Sequence, residues 1–182
     1  MTPTPANDPQ PPAAASPRGS GEPRWLDADE QRAWRGLQRM HAYLAAALNR
    51  QLAMEAGLSL SDYAVLVALT DQADGRLRAF ELGRELGWEK SRLSHHVSRM
   101  AERRLVARER CPTDRRGAFI AVTAAGRAAI EAAAPGHVAA VRRYFVDQLG
   151  REQLGALSEI TDTVIAALTC QLDLRLQPEP SN

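Results

Sequence analysis

Apolar residues recur at three- and four-residue steps through most of the chain, and the breaks between these runs mark its elements. Leu37, His41, Leu44, Leu48 and Leu52 form one stripe of a long first helix, predicted to run to about Glu55 with Asp27 or Asp29 as its cap. Gly57 ends that helix. In "GLSLSDYAVLVAL", Ser61 is expected to cap a second helix that carries Tyr63, Leu66, Val67 and Leu69. "ADG" at 73–75 reads as a turn, Arg76-Leu77 as a very short strand, and "AFELGREL" as a two-turn helix broken by Gly87. Another helix starts near Glu89. After it "LVARER" and "AFIAV" alternate as strands around the turn "CPTDRRG", which predicts a hairpin. "TAAG" opens the next helix with Thr123 as cap. Two closing helices are expected over roughly 124–148 and 152–172, the first bent or interrupted at Pro135-Gly136, the second striped by Leu154, Leu157, Ile160 or Thr161, Val164 and Leu168.

The helix in "KSRLSHHVSRM" is the informative one. At about 100° per residue, Leu93, Val97 and Met100 share a face. Ser91, His95, Ser98 and Arg99 point the other way, with Lys90, Arg92 and Ser94 flanking them, and no carboxylate intervenes between Lys90 and Ala101. His96 falls beside the apolar stripe and is expected to be a partly buried structural residue; Trp88 is expected to help anchor the helix. Two short helices joined by a tight Gly-containing turn, the second polar outside, make a helix-turn-helix, whose second helix enters the major groove of DNA. The exposed side chains can reach base edges or phosphates. A cationic hairpin tip beside them can reach a minor groove, whose negative potential attracts arginine.

Charge sharpens this reading. The formal net charge of 182 residues is only +1, yet residues 76–127 hold 13 Lys/Arg against 6 Asp/Glu, and the remainder is acidic. A basic block in an acidic chain is the footprint of a polyanion-binding surface. Hydrophobic residues at 45% and aromatics at 5% fit an Ala/Leu-rich, helix-dominated domain. Seven of the 11 prolines fall in residues 1–24, which are expected to form a disordered tail and contain no apolar targeting stretch. Residues 173–182 read as a second tail. Without a membrane-length apolar run, the expected location is cytoplasmic, with the nucleoid.

Other function classes find little support. Cys111 and Cys170 lack metal-ligand spacing and read as reduced thiols, although Cys111 sits where a redox switch is conceivable. The four histidines show no ligand pattern, no Gly-rich phosphate loop occurs, and no nucleophile and base cluster together, so neither cofactor nor catalysis is expected. His41, a polar residue on the first helix's apolar stripe, points instead to a ligand pocket shared with Trp34, Leu37 and Tyr63. The ligand would be small, aromatic or lipophilic; the competing reading makes His41 a hydrogen-bonded core residue. An architectural or protein-interaction module without an effector is the alternative function.

"GLSLSDYAVLVAL", "ELGRELGWEKSRLSHHVSRMAERRLVARERCPTDRRGAFIAVTAAGR" and the closing helix pair resemble the MarR family of bacterial winged-helix transcription regulators over about residues 30–170. The resemblance implies a mainly α fold with a small β-hairpin. It comprises a first dimerisation helix at 27–56, a winged helix-turn-helix lobe at 57–123 and dimerisation helices at 124–172. It further implies an obligate homodimer, a palindromic operator in double-stranded DNA and often a phenolic or lipophilic effector. Asp114 and Arg116 match the family's Asp-x-Arg wing motif, in which the carboxylate orients the guanidinium towards the minor groove; Arg115 would do the same or hold a phosphate. One departure stands out. Where the family usually has Gly at the end of the recognition helix, this chain reads "ERRLV", which asks Arg104 to take a left-handed conformation. Glu89 is likewise a weak N-cap.

Overall fold

The computed structural model describes residues 23–110 and 118–176. The chain divides into two units, Met1–Leu37 and Gln38–Asn182. The elements run α1 (Ala28–Ala56), α2 (Leu60–Thr70), β1 (Arg76–Arg78), α3 (Ala79–Leu86), α4 (Lys90–Glu102), β2 (Val106–Arg110), β3 (Ala118–Val122), α5 (Ala124–Tyr144), a 3-10 turn (Val146–Gln148) and α6 (Arg151–Leu176).

In the first unit, Asp27 starts α1. Its Oδ1 accepts from the Asp29 and Glu30 amides at 2.9 and 2.8 Å, and Glu30 Oε2 accepts in return from the Asp27 amide at 2.9 Å. Reciprocal bonds of this kind satisfy donors that the first helical turn otherwise leaves open.

The second unit has one core. Leu52 of α1, Val65, Leu66 and Leu69 of α2, Leu82 of α3, and Leu93, Val97 and Met100 of α4 close on Val106, Ile120 and Ile130. The sheet order is β1-β3-β2, antiparallel throughout, with Leu77 opposite Ile120 and Val106 opposite Val122. The expected hairpin is therefore widened to three strands by β1. Thr123 and Gly126 tie the sheet's exit to α4. Thr123 Oγ1 donates to the Arg104 carbonyl at 2.6 Å and accepts from the Gly126 amide at 3.0 Å. A Cβ at 126 would lie 2.0 Å from the Leu105 carbonyl oxygen, so only glycine permits this approach.

Several sequence expectations shift. The cap of α2 is Ser59, not Ser61. Ser59 Oγ accepts from the Asp62 amide at 3.0 Å and Asp62 Oδ2 accepts from the Ser59 amide at 2.9 Å, a reciprocal pair open only to residues three apart. Pro135 lies inside an unbroken α5; one missing amide removes one bond of the ladder, and the remaining bonds carry the helix across it. That helix stops at Tyr144. There Arg142 Nη2 donates to Asp147 at 2.6 Å and Gln148 Nε2 donates to the Arg143 carbonyl at 2.9 Å, which turns the chain. On α1, Leu48 and Leu52 are buried as expected, but His41 is exposed and Gln51 is the buried polar residue.

Arg104 has φ +60°. The Leu105 amide donates to the Met100 carbonyl at 3.0 Å and the Arg104 amide to that of Ala101 at 2.9 Å, the paired bonds of a Schellman C-cap, with Leu105 buried beyond it. A Cβ in this conformation costs about 1–2 kcal/mol, partly offset by glycine's greater loss of chain entropy. Arg104→Gly is therefore expected to stabilise the protein by up to about 1 kcal/mol, read as a higher urea midpoint at unchanged slope. A lower midpoint would mean that the arginine side chain contributes more than its backbone strain.

Candidate nucleic-acid interface

The turn between α3 and α4 is made by Gly87, left-handed at φ +63°, which lets the Trp88 amide close on the Gly83 carbonyl at 2.8 Å. From there α4 runs with Leu93, Val97 and Met100 in the core and Lys90, Ser91, Arg92, Ser94, His95, Ser98 and Arg99 all exposed. Glu89, its N-cap, makes no side-chain capping bond. The helix thus presents hydroxyls, an imidazole and cations, held on a rigid element.

Three sets of contacts fix that face. Arg92 lies over the Trp88 ring, 4.4 Å from its centroid, and Trp88 meets the His96 ring edge-on at 5.2 Å. On β2, Arg108 reaches across to α4: its Nη2 donates to the Ser94 carbonyl at 2.8 Å and to the hydroxyls of Ser94 and Ser98 at 3.3 and 3.1 Å. Ser98 in turn donates to the Ser94 carbonyl at 2.9 Å. Arg108 was not singled out from the sequence. Its signal was strand parity, because it shares a strand face with buried Val106 and so points towards α4.

The third set centres on Asp62, whose side chain is 3% exposed. Arg103, at the end of α4, donates to Asp62 Oδ2 at 2.7 Å and to the Gly57 carbonyl at 2.6 Å. His96 Nε2 lies 3.0 Å from Asp62 Oδ1, close enough for a coulombic contact but not aligned for a hydrogen bond. The α1–α2 corner, the α2 cap, and the middle and C-terminal end of the reading helix therefore meet on one carboxylate. Burial by itself would raise the Asp62 pKa, but bonds from Ser59 and Arg103 outweigh it and hold the value below normal. Burial lowers the His96 pKa, against the pull of Asp62.

Both shifts give stability that is lost on acidification. His96 favours the neutral form when folded, so stability declines as pH falls below about 6.5. Asp62 favours the charged form when folded, so its contribution is present above about 3.9 and is lost as pH falls through its folded value. Asp62→Asn is expected to destabilise the fold by about 2–3 kcal/mol and to flatten the loss below pH 4; with the pull of the carboxylate gone, the His96 pKa falls further and the loss below about 6.5 is kept or enlarged. Urea midpoints from pH 3 to 8 measure both; an Asn variant with the wild-type acid limb would remove Asp62 from this role.

Asp114, Arg115, Arg116 and Cys111 lie outside the described residues. The strands that lead to them pair up to Arg110 opposite Ala118, and at their base Arg76 and Arg78 lie 5.0 and 5.5 Å from the Phe119 ring centroid. Of the residues assigned to a ligand pocket, Tyr63 is half-buried with its ring 4.3 Å from that of His137, and His41 is exposed on α1. In the other unit, Trp34 and Leu37 are exposed. His137, missed in the sequence, has a buried Nδ1 without a hydrogen-bond partner among the described residues, and burial lowers its pKa. Among the described residues no cluster of His, Cys, Asp or Glu could hold a metal, and no single helix is long and apolar enough to cross a membrane.

Known proteins fit this geometry. The MarR family model matches residues 56–117. AbsC, a MarR family transcriptional regulator from Streptomyces coelicolor, is 38% identical over 81% of this chain and 99% of its own, with a TM-score of 0.76. Sco3205 from the same organism, solved in complex with DNA, is 41% identical over 81% of this chain and 92% of its own, with a TM-score of 0.77. A mutant MarR from E. coli complexed with operator DNA shares the fold at 18% identity, with a TM-score of 0.67 over 76% of this chain and 99% of its own. A comparison with curated protein sequences gives no match. With two relatives near 40% identity spanning nearly their full lengths, and with the helix-turn-helix and three-stranded wing in place, this chain belongs to the MarR family of transcriptional regulators.

Proposed function

We infer that this regulator binds a palindromic operator as a two-fold homodimer and represses transcription until a small aromatic or lipophilic ligand releases it. The observation that carries the DNA-reading role is the exposed face of α4, where Lys90, Ser91, Arg92, Ser94, His95, Ser98 and Arg99 stand together without a carboxylate. Ser91, His95, Ser98 and Arg99 read base edges or phosphates from the major groove. Arg115 and Arg116, the latter oriented by Asp114, hold the adjacent minor groove or its phosphates. The DNA complex of Sco3205 supports this reading. Half-sites would be spaced about 10–10.5 bp apart, one helical turn, to match the two recognition helices.

The effector reading rests on Tyr63 and on the His137 Nδ1 against it, which has no hydrogen-bond partner among the described residues; the exposed His41 is tested as a further polar residue. A ligand there alters the attitude of α2 and α5 and lowers operator affinity about 5–150-fold. Thermal-shift screening with phenolic acids, then operator titration with each hit on wild type, Tyr63→Phe and His41→Ala, tests this. Hits that stabilise every variant equally and leave operator affinity alone would reduce the protein to a DNA-binding module without a switch.

A further inference from the structure

Strand alternation divides the small sheet into two faces. Leu77, Ile120 and Arg108 stand opposite one another on the face towards α4. Arg78, Phe119 and Glu109 stand in register on the outer face, and Arg76, two residues before Arg78, lies on that side too. Strands β1 and β2 are not neighbours, because β3 lies between them. Arg76 nevertheless joins them. Its guanidinium lies 5.0 Å from the Phe119 ring centroid, and its Nη1 donates to Glu109 Oε2 at 3.3 Å.

The near end of this arm is fixed as well. Arg76 Nε donates to Asp74 Oδ2 at 2.9 Å, and that bond holds the Asp74 carboxyl below its usual pKa. The turn beneath is made by Gly75, left-handed at φ +68°, whose carbonyl accepts from the Val122 amide at 2.9 Å. On β2 the result is a grip from both sides. Arg108 bonds inwards to Ser94 and Ser98 of α4, and its neighbour Glu109 bonds outwards to Arg76. Pairing of β1 with β3 ends at Phe119, so at Ala118 and Arg110 the hairpin continues as two strands. A two-stranded ribbon has little stability of its own, and its direction is set by the last residues that are held.

The side chains of Arg76 and Glu109 are nearly half exposed, at 43% and 46%. Such a pair adds little to global stability, which leaves direction rather than folding as the property it controls. We propose that Arg76 is a positioning residue for minor-groove reading: by holding Glu109 it fixes the angle at which β2 and β3 leave the lobe relative to α4. This role rests on Arg115 and Arg116 reading the minor groove. Wing and reading helix must enter adjacent grooves of one duplex together, and an error of angle at the base of the strands grows with distance along them. Losing the clamp therefore costs contact in the minor groove and spares that of α4 in the major groove.

The test uses the full chain and a duplex that the wild-type protein selects from a random library, given either A-tract or G·C flanks. A-tracts have a narrow minor groove that attracts inserted arginine, so wild type should prefer them and Arg116→Ala should lose that preference. Arg76→Ala and Glu109→Ala are each expected to cut the preference about two- to tenfold, with nearly wild-type urea midpoints. The double variant should be no worse than either single one, and neither change should weaken binding further in an Arg116→Ala background. Arg76→Ala with the full flank preference overturns the proposal. So does an even loss on both duplexes with a salt slope shallower by about one while Glu109→Ala binds as wild type, because Arg76 is then a phosphate contact. An even loss in both single variants with lowered urea midpoints makes the pair merely structural and overturns it too. If Arg116→Ala itself keeps the preference, the minor-groove reading fails first and takes this role of Arg76 with it.

Discussion

Operator affinity is expected to fall about 10³- to 10⁵-fold as salt rises from about 50 to 200 mM, the range for a protein that neutralises about 6–10 phosphates. Residues 90–116 carry 9 Lys/Arg against 3 Asp/Glu, and a two-fold dimer presents that set twice. Not every cation is available. Arg103 is committed to Asp62 and Gly57, and Arg108 to Ser94 and Ser98 of α4. The free contributors are expected to be Lys90, Arg99 and the wing arginines, with Arg92 stacked on Trp88 but still exposed. Arg99→Ala should weaken operator binding about 5–150-fold if its guanidinium reads a base pair bidentately, with relaxed preference at one position of each half-site. If it touches only phosphate, affinity should drop evenly across sequences and the salt slope should become shallower. Arg108→Ala separates reading from positioning: it removes the brace on Ser94 and Ser98, so specificity should fall more than non-specific affinity. Fluorescence anisotropy on operator and scrambled duplexes at several salt concentrations reads all of these. An Arg99→Ala, Arg116→Ala double variant with wild-type affinity would falsify the assignment of this face.

What the sequence allowed, and what it hid, divides along one physical line. Local pattern reported local structure well. The 3.6-residue spacing of Leu93, Val97 and Met100 set the buried face of α4, placed His96 beside it, and left the donor-rich side outside, as the structure has it. The strand alternation on either side of "CPTDRRG" marked β2 and β3, and the missing glycine at 104 marked a left-handed arginine. Capping was half legible: Thr123 was found, but of the two serines at the start of α2 the chain uses Ser59, three residues from Asp62. The contacts that hold the reading face were not legible. Asp62 and Arg103 are 41 residues apart and Arg108 and Ser94 are 14 apart, and no periodicity connects such positions. His41 shows the converse error. A polar residue on an apolar stripe reads as buried when the whole stripe is assumed to face the core, yet burial on α1 begins only at Leu48.

Ending the chain before Arg151 is expected to abolish dimers and operator binding together. Helix α6 has almost no role in the core of its own protomer: Ile160, Val164, Ile165 and Leu168 fall within one stripe and are 59%, 51%, 58% and 53% exposed. A lone chain rarely leaves so continuous an apolar surface in water, and such patches mark association. Burying the exposed part of these four side chains is worth about 1 kcal/mol each, and a two-fold axis doubles the set. About 6–8 kcal/mol from α6 alone is comparable to the cost of association, estimated at about 4–15 kcal/mol, so the dimer needs further apolar area. Tyr43 and Met40 of α1 are exposed and apolar and can supply it. Because α6 is exposed, its loss should leave the winged-helix core folded, with a far-UV spectrum short of one helix and a cooperative melt retained. The full-length counterpart is Val164→Arg, which puts a charge at the centre of the stripe. It should shift sedimentation towards monomer while leaving the Asp62 acid limb as in wild type. Affinity for a single half-site should then persist weakly, and the preference for a paired site should vanish. A Val164→Arg protein that stays dimeric and keeps that preference would move the dimer contact off α6.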